Sequence, residues 1–500
     1  MSSLLLLKAA NIFKTYGDRI IFKIGRLELH RGEKVGLVGS NGTGKSTLLS
    51  ALMGEIDLDD GSVDIRGLAS IIRQEQDPDT LRSSGTAEEA VRGILRFSAS
   101  PLSERPSGGE LTRVAIAEAL SRRPDIIFAD EPTTNLDMEG IAELRRTLAS
   151  FKGALVLVSH DRDLLDDVCD RIWELEGGSL RVFPGNYSKW RAQKRREREF
   201  ASSEYEAFRQ EKKRLTEAAR RASDRANKAG KPPSRMSPSE ARVNPGKGLK
   251  AQGVLKATAG VISKRAETLE KKERPPDLPE IKMALGVSSR VASDSTVRAS
   301  GLTVAFGGRV LFDGADFEAK TARCTILLGP NGSGKTTLLD MIARGEPPIK
   351  IAPGAKVGYF RQGHESLNPS RSILDNARSE SDLPEHEVRT ILARLEIKGD
   401  AVRKKCGDLS GGERAKVVLA SLFASNLNTL ILDEPTNHID LYTIEALEAL
   451  LLAWRGTLIL ASHDTRLAGM VGDRLLIIEN RKIRTFEGTL EEYASRGNAG

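Results

Sequence analysis

Residues Lys34–Thr47 read KVGLVGSNGTGKST and predict the architecture of the first half of the chain. It opens on a short apolar run, which predicts a buried β-strand, and continues through a glycine-rich loop into the apolar helix start Leu48-Leu49. A strand, the pattern G-x-x-x-x-G-K-[ST] and a helix form a phosphate-binding Walker A loop. Its glycines let backbone N–H groups close around phosphate oxygens, and the helix N-terminus favours negative charge. The predicted strand before the loop and the predicted helix after it argue against a glycine-rich loop that matches the pattern by chance.

The side chains of this loop have predicted roles. Lys45 reaches the β- and γ-phosphates, and Ser46 offers a hydroxyl to Mg²⁺. The sequence therefore predicts an ATP and Mg²⁺ site formed by Gly39, Ser40, Asn41, Gly42, Thr43, Gly44, Lys45, Ser46 and Thr47.

The same arrangement returns in the second half of the chain. The apolar run Cys324–Leu328 leads into a second glycine-rich loop and a second apolar helix start. This repeat predicts a duplicated nucleotide-binding domain. The second loop consists of Gly329, Pro330, Asn331, Gly332, Ser333, Gly334, Lys335, Thr336 and Thr337.

Two apolar runs end in the sequence Asp-Glu-Pro, at Asp130-Glu131 and at Asp433-Glu434. The first acid of each pair is predicted to hold Mg²⁺ through water, and the second to polarise the attacking water. Strand ends often carry incidental acids, but two copies of Asp-Glu-Pro argue against chance. His160 and His463 each lie 30 residues beyond the first acid of their half, which favours a γ-phosphate contact over a structural role.

A Ser-Gly-Gly-Glu sequence precedes a helical run in each half. By itself this pattern is usually a turn; in front of a helix it caps N–H groups that can face phosphate. The two copies are Ser107, Gly108 and Gly109 in the first half, and Ser410, Gly411 and Gly412 in the second.

This combination of motifs resembles the ATP-binding cassette (ABC) ATPases over both halves. The resemblance implies two cassettes stacked head to tail, with each ATP between one Walker A loop and the opposite Ser-Gly-Gly. It also implies that Gln74 and Gln362 act as the family's glutamine loops, and that Tyr16 and Phe306 stack on adenine, although either aromatic residue could be ordinary core. The implied Mg²⁺ ligands are Ser46, Gln74 and Asp130 in one site and Thr336, Gln362 and Asp433 in the other.

Composition limits the remaining classes. The three cysteines, Cys169, Cys324 and Cys406, lie far apart, which excludes a disulfide framework and fits a reducing cytosol. No apolar run approaches the length of a membrane span. We therefore expect a cytoplasmic protein without a membrane partner, and a monomer with an intramolecular pair of cassettes.

The basic charge of the chain lies between the two halves. Residues Lys189–Pro275 contain 25 Lys and Arg against 11 Asp and Glu, a net charge of +14 in a chain of +7. The rest of the chain therefore sums to −7. Such segregation predicts a polyanionic partner that contacts this segment.

The basic segment has a predicted shape. Trp190–Ala229 lacks glycine and proline and predicts a long helix; a second helix is predicted over Val254–Arg274. We predict an irregular tip over about 230–253 and an antiparallel hairpin, against the alternative of a flexible tether. The fold prediction is thus two P-loop α/β ABC-type ATPase domains, 1–188 and 300–500, joined by a long α-helical hairpin linker, 189–299.

Two soluble cassettes fused by a basic hairpin resemble the ABC-F proteins. The tip residues Lys231–Arg242 and the linker exit Leu278–Met283 resemble those of the Vga-type antibiotic-resistance members. The interval from Gln74 to Ser107 is 15 residues shorter than that from Gln362 to Ser410. This short interval resembles the ABC-F members that have no added arm in the helical subdomain of the first cassette. The resemblance implies an ATPase that binds ribosomes, contacting rRNA and exit- or peptidyl-site tRNA.

Three functions follow as hypotheses. The first is protection of the ribosome from antibiotics at the peptidyl transferase region. The second is a translation factor of the same architecture that acts on stalled ribosomes without conferring resistance. The third is a transporter ATPase or a DNA-repair cassette, which the absence of Cys-x-x-Cys pairs and of membrane-spanning runs disfavours.

Overall fold

We analysed a computed structural model of the chain, which describes residues 4–74, 108–229, 246–269, 285, 291–306, 309–361, 367–437 and 439–497. The chain divides into two compact units. One contains Met1–Trp190 together with Pro279–Gly500, and the other contains Arg191–Leu278. Both cassettes therefore belong to one unit. The predicted bounds of the three domains stay a prediction.

The first cassette is built on two sheets. Within the described residues, a sheet of six strands has the order β5-β6-β7-β3-β8-β9, and a sheet of three has the order β2-β1-β4. The larger sheet is parallel except for its last strand, and the interiors of its central strands β3, β6 and β7 are apolar, as expected of strands covered on both faces. The strands are β1 Leu5–Tyr16, β2 Arg19–His30, β3 Lys34–Val38, β4 Asp60–Ile65, β5 Ala69–Ile72, β6 Ile126–Asp130, β7 Ala154–Val158, β8 Arg171–Glu176 and β9 Ser179–Pro184.

Helices cover the larger sheet. The helices described in the first cassette are α1 Lys45–Met53, α2 Gly108–Ser121, α3 Met138–Ser150 and α4 Arg162–Val168. The side chains of Asp137 and Asp161 cap α3 and α4 by accepting backbone N–H groups, as Asp does at helix N-termini.

The second cassette repeats this plan. Its described strands form a sheet ordered β14-β15-β16-β12-β17-β18 and a sheet ordered β11-β10-β13. The strands are β10 Ser295–Phe306, β11 Arg309–Lys320, β12 Cys324–Leu328, β13 Lys350–Ile351, β14 Val357–Phe360, β15 Thr429–Asp433, β16 Thr457–Ala461, β17 Arg474–Glu479 and β18 Lys482–Glu487. The helices, numbered after the two linker helices α5 and α6 given below, are α7 Lys335–Arg344, α8 Ile373–Arg378, α9 Glu385–Arg394, α10 Gly411–Ala424, α11 Leu441–Ala453, α12 Thr465–Val471 and α13 Leu490–Gly497, with 3₁₀ turns at Gly399–Arg403 and Cys406–Asp408.

The order of the strands positions the predicted site residues. In the first cassette β6, β7 and β3 are neighbours and parallel, so their carboxyl ends lie at one edge of the sheet. The Walker A loop follows β3, Asp130 ends β6, and His160 follows β7. In the second cassette the corresponding strands β15, β16 and β12 are arranged in the same way. Ligands of α/β sheets bind at this edge.

The linker is helical. Helix α5 spans Tyr187–Ala229, and α6 spans Gly246–Thr268. The pKa of Glu211, 18 residues before the end of α5, is lowered by its hydrogen bond to Arg214 and, to a smaller extent, by the charge of Arg265 near the end of α6. Since Arg265 lies 19 residues after the start of α6, the two helices run antiparallel, which confirms the predicted hairpin.

The second linker helix differs from its prediction. Residues 246–253, predicted to belong to an irregular tip, are the first two turns of α6, and the helix ends at Thr268 instead of Arg274. Gly246, Gly248 and Gly253 weaken the helix without ending it. The tip prediction is therefore wrong for 246–253, and residues 230–245 lie outside the described ranges.

In the residues that the structure describes, no helix is long and apolar enough to cross a bilayer.

Candidate nucleotide-binding site

Both Walker A loops bend sharply into the helix that follows. Gly44 precedes α1 at φ 97°, and Gly334 precedes α7 at φ 99°, in the left-handed region that favours glycine. A Cβ atom added to Gly44 would lie 2.3 Å from Cγ2 of Ile21, so space as well as conformation requires glycine here. The backbone N–H groups at the starts of α1 and α7 therefore face the loop, which suits phosphate binding.

The lysines of both loops fold back over them. The Nζ atom of Lys45 donates to the carbonyl oxygens of Gly39 and Ser40, at 2.8 and 3.1 Å. Lys335 Nζ donates to the carbonyl oxygen of Gly329 at 2.7 Å. Burial lowers the pKa of both lysines, although neighbouring carboxylates oppose the shift. Each ammonium group thus lies over the centre of its loop, where it can reach a bound phosphate.

The predicted metal ligands meet in pairs. Ser46 hydrogen-bonds to Asp130, and Thr336 hydrogen-bonds to Asp433. Burial raises the pKa of both carboxyl groups above the usual range. Among the described residues, Oδ2 of Asp433 is buried without a hydrogen-bond partner. A hydroxyl beside an unsatisfied carboxylate oxygen is the kind of donor set that Mg²⁺ accepts, so these residues fit the ion.

The glutamates that follow have an unusual backbone. Glu131 and Glu434 have φ values of 48° and 47°, a strained conformation for a side chain of this kind. Each is fixed by its own N–H, which donates to the carbonyl oxygen of Val158 or Ala461 on the neighbouring strand, at 2.9 Å in both cassettes. Strain that recurs at the same position in both repeats points to a functional requirement for this orientation.

The chemistry of the two glutamates is also alike. Burial and the negative charge of Asp130 raise the pKa of Glu131 to about 8, and burial raises the pKa of Glu434 to about 8. One oxygen of each carboxyl, Oε1, is buried and faces the Nε2 atom of a histidine ring, 3.1 Å away in the first cassette and 3.4 Å away in the second. A buried carboxyl group with a pKa near neutrality is suited to accept a proton from water.

The two histidines lie beside these glutamates. His160 Nε2 is 3.1 Å from Oε1 of Glu131, and His463 Nε2 is 3.4 Å from Oε1 of Glu434. The backbone N–H groups of the same histidines donate to Oε2 of the same glutamates, at 3.2 and 3.1 Å. Burial and the charge of Lys335 lower the pKa of His463 to about 4, so this imidazole is neutral at physiological pH.

The cassettes touch each other at these sites. The N–H of Asn41, in the first Walker A loop, donates to Oδ2 of Asp440 in the second cassette, at 3.3 Å. Reciprocally, Asn331 Nδ2 donates to the carbonyl oxygen of Asn135 at 2.8 Å, and the backbone of Asn331 hydrogen-bonds to Asp137. Each Walker A loop therefore contacts the opposite cassette, as the predicted head-to-tail pairing requires.

One continuous cleft contains both predicted sites. Its volume is about 1580 Å³. Predicted site residues from both cassettes line it, among them the two Walker lysines and the glutamates and histidines predicted to be catalytic; Tyr16, Gln74, Gly108, Gly109, Ser410 and Gly412 line it as well.

The Ser-Gly-Gly sequences begin helices. Ser410 caps α10 through a capping box: its hydroxyl accepts the N–H of Glu413, and the Glu413 carboxylate accepts the N–H of Ser410. Gly108 is the first residue of α2, and a Cβ on Gly109 would lie 3.7 Å from Nδ2 of Asn331. The first sequence therefore lies against the second Walker A loop. Ser107 and Gln362 lie outside the described residues, and so does the side chain of Phe306.

Two residues of the site, Asp137 and Asp440, were not predicted from the sequence. Asp137 and Asp440 lie seven residues beyond Asp130 and Asp433, a spacing that the repeat offered but that no motif pointed to. Asp440 also accepts Lys416 Nζ at 2.8 Å. Although burial opposes the charge, Lys416 lowers the pKa of Asp440 to about 2. The contact between them depends on how α10 and α11 pack.

Comparison with known families agrees with this geometry. Residues 22–134 and 312–437 match the family described as ABC transporter, and residues 173–240 match a second family with the same description.

Curated relatives span most of the chain. The erythromycin resistance ATP-binding protein MsrA of Staphylococcus epidermidis is 33% identical over 90% of this chain and 93% of its own length. The ribosome protection protein VmlR of Bacillus subtilis (strain 168) is 29% identical over 98% of this chain and 89% of its own length.

Among solved structures, an RNase-L inhibitor covers 98% of this chain with a TM-score of 0.62 and 22% identity, and the chain covers 92% of it. At this identity the likeness shows the fold, which is that of paired cassettes.

Proposed function

Because this chain belongs to the ABC-F family of ATP-binding cassette ATPases, we propose that it binds the ribosome in its ATP-closed form and protects it from antibiotics that act at the peptidyl transferase region. ATP hydrolysis to ADP and phosphate then releases it. The observation that carries the proposal is a linker of net charge +14 placed between two complete nucleotide sites.

The residues of each site divide the work of hydrolysis. Lys45 and Lys335 would hold the β- and γ-phosphates, and the N-termini of α1 and α7 would add backbone donors. Glu131 and Glu434 would orient and polarise the attacking water, while His160 and His463 would contact the γ-phosphate from beside them. Ser46 and Asp130 would hold Mg²⁺ in one site, and Thr336 and Asp433 in the other. The family resemblance implies that Gln74 and Gln362 would join them. The bound ion would neutralise charge on the phosphates.

The pairing of the cassettes supports closure by ATP. Each predicted site combines a Walker A loop with residues of the opposite cassette, at Asn41 with Asp440 and at Asn331 with Asn135. A nucleotide bound between the two surfaces would therefore stabilise the closed arrangement by contacting both. Hydrolysis removes the γ-phosphate and with it that stabilisation.

The linker supports a nucleic-acid partner. Arg195, Arg214 and Arg221 on α5 have exposed guanidinium groups, with 80%, 71% and 76% of their side chains accessible. Their ion pairs, formed with glutamates three or four residues away, are at the surface and easily exchanged for phosphate contacts. A ribosome, whose rRNA and tRNA present phosphate throughout, matches this charge.

The relatives support the drug-protection role. One is named for erythromycin resistance and another for ribosome protection, and both match nearly the whole of this chain. We propose in addition that the protein occupies the tRNA exit site, that the hairpin tip extends towards the drug pocket, and that it acts in the cytoplasm as a monomer.

A growth experiment tests the proposal. The gene is expressed in a drug-sensitive bacterial strain deleted for its own resistance factors, and inhibitory concentrations are measured for drugs of the peptidyl transferase region and for one drug of the decoding site. A rise confined to the first group is expected. Cosedimentation with ribosomes in ATP without any rise would refute drug protection and favour the translation-factor hypothesis; absence of cosedimentation would refute ribosome binding.

A further inference from the structure

Two short helices from different cassettes meet beside the ATP sites. Helix α4 begins directly after His160-Asp161, and α12 begins directly after His463-Asp464. Thr465 Oγ1 donates to Oδ2 of Asp163 at 2.6 Å, and Arg466 pairs with Asp163 and Asp166. The segments that carry the two histidines are thus joined to each other across the cassettes.

Arg162 is the most deeply buried member of this junction. Its side chain is 1% exposed, and it lies in the first cassette while both of its carboxylate partners lie in the second. Its Nη1 is 2.5 Å from Oε1 of Glu448 on α11, and its Nη2 is 3.2 Å from Oδ2 of Asp464. A buried guanidinium shared between two carboxylates holds both in place, since leaving any of them unpaired is strongly unfavourable.

Asp464 in turn fixes the histidine segment of the second site. Its Oδ1 accepts the N–H of Leu467 at the start of α12, and its own N–H donates to Oγ of Ser462, so residues 462–464 form one rigid turn. The middle residue of that turn is His463, whose N–H donates to Oε2 of Glu434. The position of Asp464 therefore sets the position of His463 against the catalytic carboxyl.

The first cassette is built in the same way up to Arg162. Asp161 caps α4 through the N–H of Leu164, its N–H donates to Oγ of Ser159, and His160 N–H donates to Oε2 of Glu131. A continuous series of contacts therefore runs from Glu131 through His160 and Arg162 to Asp464, and on through His463 to Glu434.

We propose that Arg162 is a positioning residue that couples the two ATP sites. Because Arg162 holds Asp464, the position of His463 depends on the conformation of the first ATP site. Neither site therefore hydrolyses ATP independently of the other. A single buried arginine makes this link for both sites, because the residue that corresponds to Arg162 in the second cassette is Thr465. The proposal rests on the ATPase activity of the family and not on ribosome binding.

The test measures ATP turnover of the purified full chain without ribosomes. Glu131→Gln and Glu434→Gln are made singly, in the parent and in an Arg162→Met background. If the two sites are coupled, Glu131→Gln alone or Glu434→Gln alone should lower ATP turnover more than ~10-fold in the protein that keeps Arg162. The reason is that the effects of residues that act as a unit are not additive. In the Arg162→Met background each glutamine should remove only about half of that variant's own rate, because the remaining site works alone.

Controls separate coupling from loss of fold. Arg171→Met breaks an ion pair with Glu33 inside the first cassette and should leave the large effect of each glutamine unchanged. Asp464→Asn keeps the helix cap but weakens the pair, and Arg162→Lys keeps the charge but not two parallel contacts; both should show intermediate coupling. Thermal unfolding verifies that each variant folds, and the Asn and Lys variants carry the test if Arg162→Met does not fold.

Two results would overturn the proposal. One is a loss of about half in the parent with either glutamine, which would mean that the sites are independent. The other is an equal and large loss in the parent and in the Arg162 and Asp464 variants, which would mean that coupling passes elsewhere.

Discussion

The Nζ atom of Lys416 lies 2.8 Å from Oδ2 of Asp440, and both side chains are buried in the cleft between the cassettes. The same carboxylate oxygen accepts the N–H of Asn41 in the first Walker A loop. One buried ion pair of the second cassette therefore supports the loop that binds phosphate in the first.

Breaking this pair should destabilise the protein. Lys416→Met leaves the carboxylate of Asp440 buried without its cation, which costs about 3 kcal/mol in the free energy of unfolding. Urea denaturation of the variant measures this cost. Adding Asp440→Asn should recover part of it, whereas Lys398→Met, at an exposed pair with Glu396, should change stability by less than about 0.5 kcal/mol. If Lys416→Met and Lys398→Met changed the free energy of unfolding equally, the stabilising role of the buried pair between Lys416 and Asp440 would be contradicted.

The catalytic glutamates can be tested together. The double variant Glu131→Gln, Glu434→Gln should retain ATP binding but lose at least ~10²-fold in turnover, because an amide cannot take a proton from water while the lysine contacts persist. Filter binding and phosphate release measure the two properties separately. We also expect this variant to stay on ribosomes in the presence of ATP. Glu118→Gln, at a partly buried carboxylate that pairs with the exposed Arg122 on α2, serves as the control; rapid release of the double variant would argue against release by hydrolysis.

Charge on the linker should control ribosome affinity. Changing Arg195, Arg196 and Arg198 to Glu lowers the net charge of 189–275 from +14 to +8 and removes up to three phosphate contacts. The slope of log affinity against log salt should then fall by about 2. Sedimentation with ribosomes at rising KCl measures it.

The control carries the same charge change elsewhere. Arg26, Arg66 and Arg323 are exposed on the cassettes, and changing them to Glu should leave the slope nearly unaltered. If the linker arginines serve only pairs such as Arg195 with Glu199, at 2.8 Å, both triple variants will behave alike.

The tip of the linker should decide drug protection. Replacing Ser234–Arg242 with a short Gly-Ser turn should leave ATPase activity intact and abolish protection, if the tip acts at the drug pocket. These residues lie outside the described structure, so the prediction depends on their polar sequence between two helices, the first of which is about 65 Å long at ~1.5 Å per residue. Met236, flexible and apolar, is our candidate for setting which drugs are tolerated. Full resistance from the shortened protein, measured beside its ATP turnover, would refute this role.

The root of the linker helix should contribute to stability. Tyr187 is fully buried, its hydroxyl donates to Glu445 of the second cassette at 3.2 Å, and its ring packs at 5.4 Å from that of Trp190. Tyr187→Phe removes only the hydrogen bond and should cost about 1 kcal/mol, lowering the melting temperature by about 1 °C. Tyr205→Phe, at a half-buried tyrosine of α5, should have almost no effect in the same thermal scan.

The sequence could predict the fold because the cassettes depend on local patterns. Gly-rich loops, apolar strand runs and the Asp-Glu-Pro ends recur at fixed spacing, and each residue that they point to in the described structure lies near the edge where the parallel strands end. The boundary between the tip and α6 could not be predicted in the same way. Gly246, Gly248 and Gly253 predict an irregular segment, but α6 includes all three glycines.

Contacts between the cassettes could not be predicted from one sequence. Asp440 is an unremarkable acid before a helix until the packing brings Lys416 and Asn41 to it, and Arg162 is an arginine after a histidine until Glu448 and Asp464 face it. The contacts of Arg162 with Asp464 and of Asn41 with Asp440 join positions 302 and 399 residues apart, and even Lys416 and Asp440 lie 24 apart, so a local pattern carries no information about them.

The two repeats also differ in how they hold each other. Helix α11 presents Leu441 and Tyr442 to the first cassette, where Leu441 joins the apolar core and Tyr442 donates to the buried Glu174. The corresponding residues of α3 are Met138, which remains 37% exposed, and Glu139. The halves are therefore not interchangeable parts: a chain assembled from two copies of the first cassette would keep both phosphate loops yet lack the contacts of Leu441 and Tyr442, so this junction needs one half of each kind.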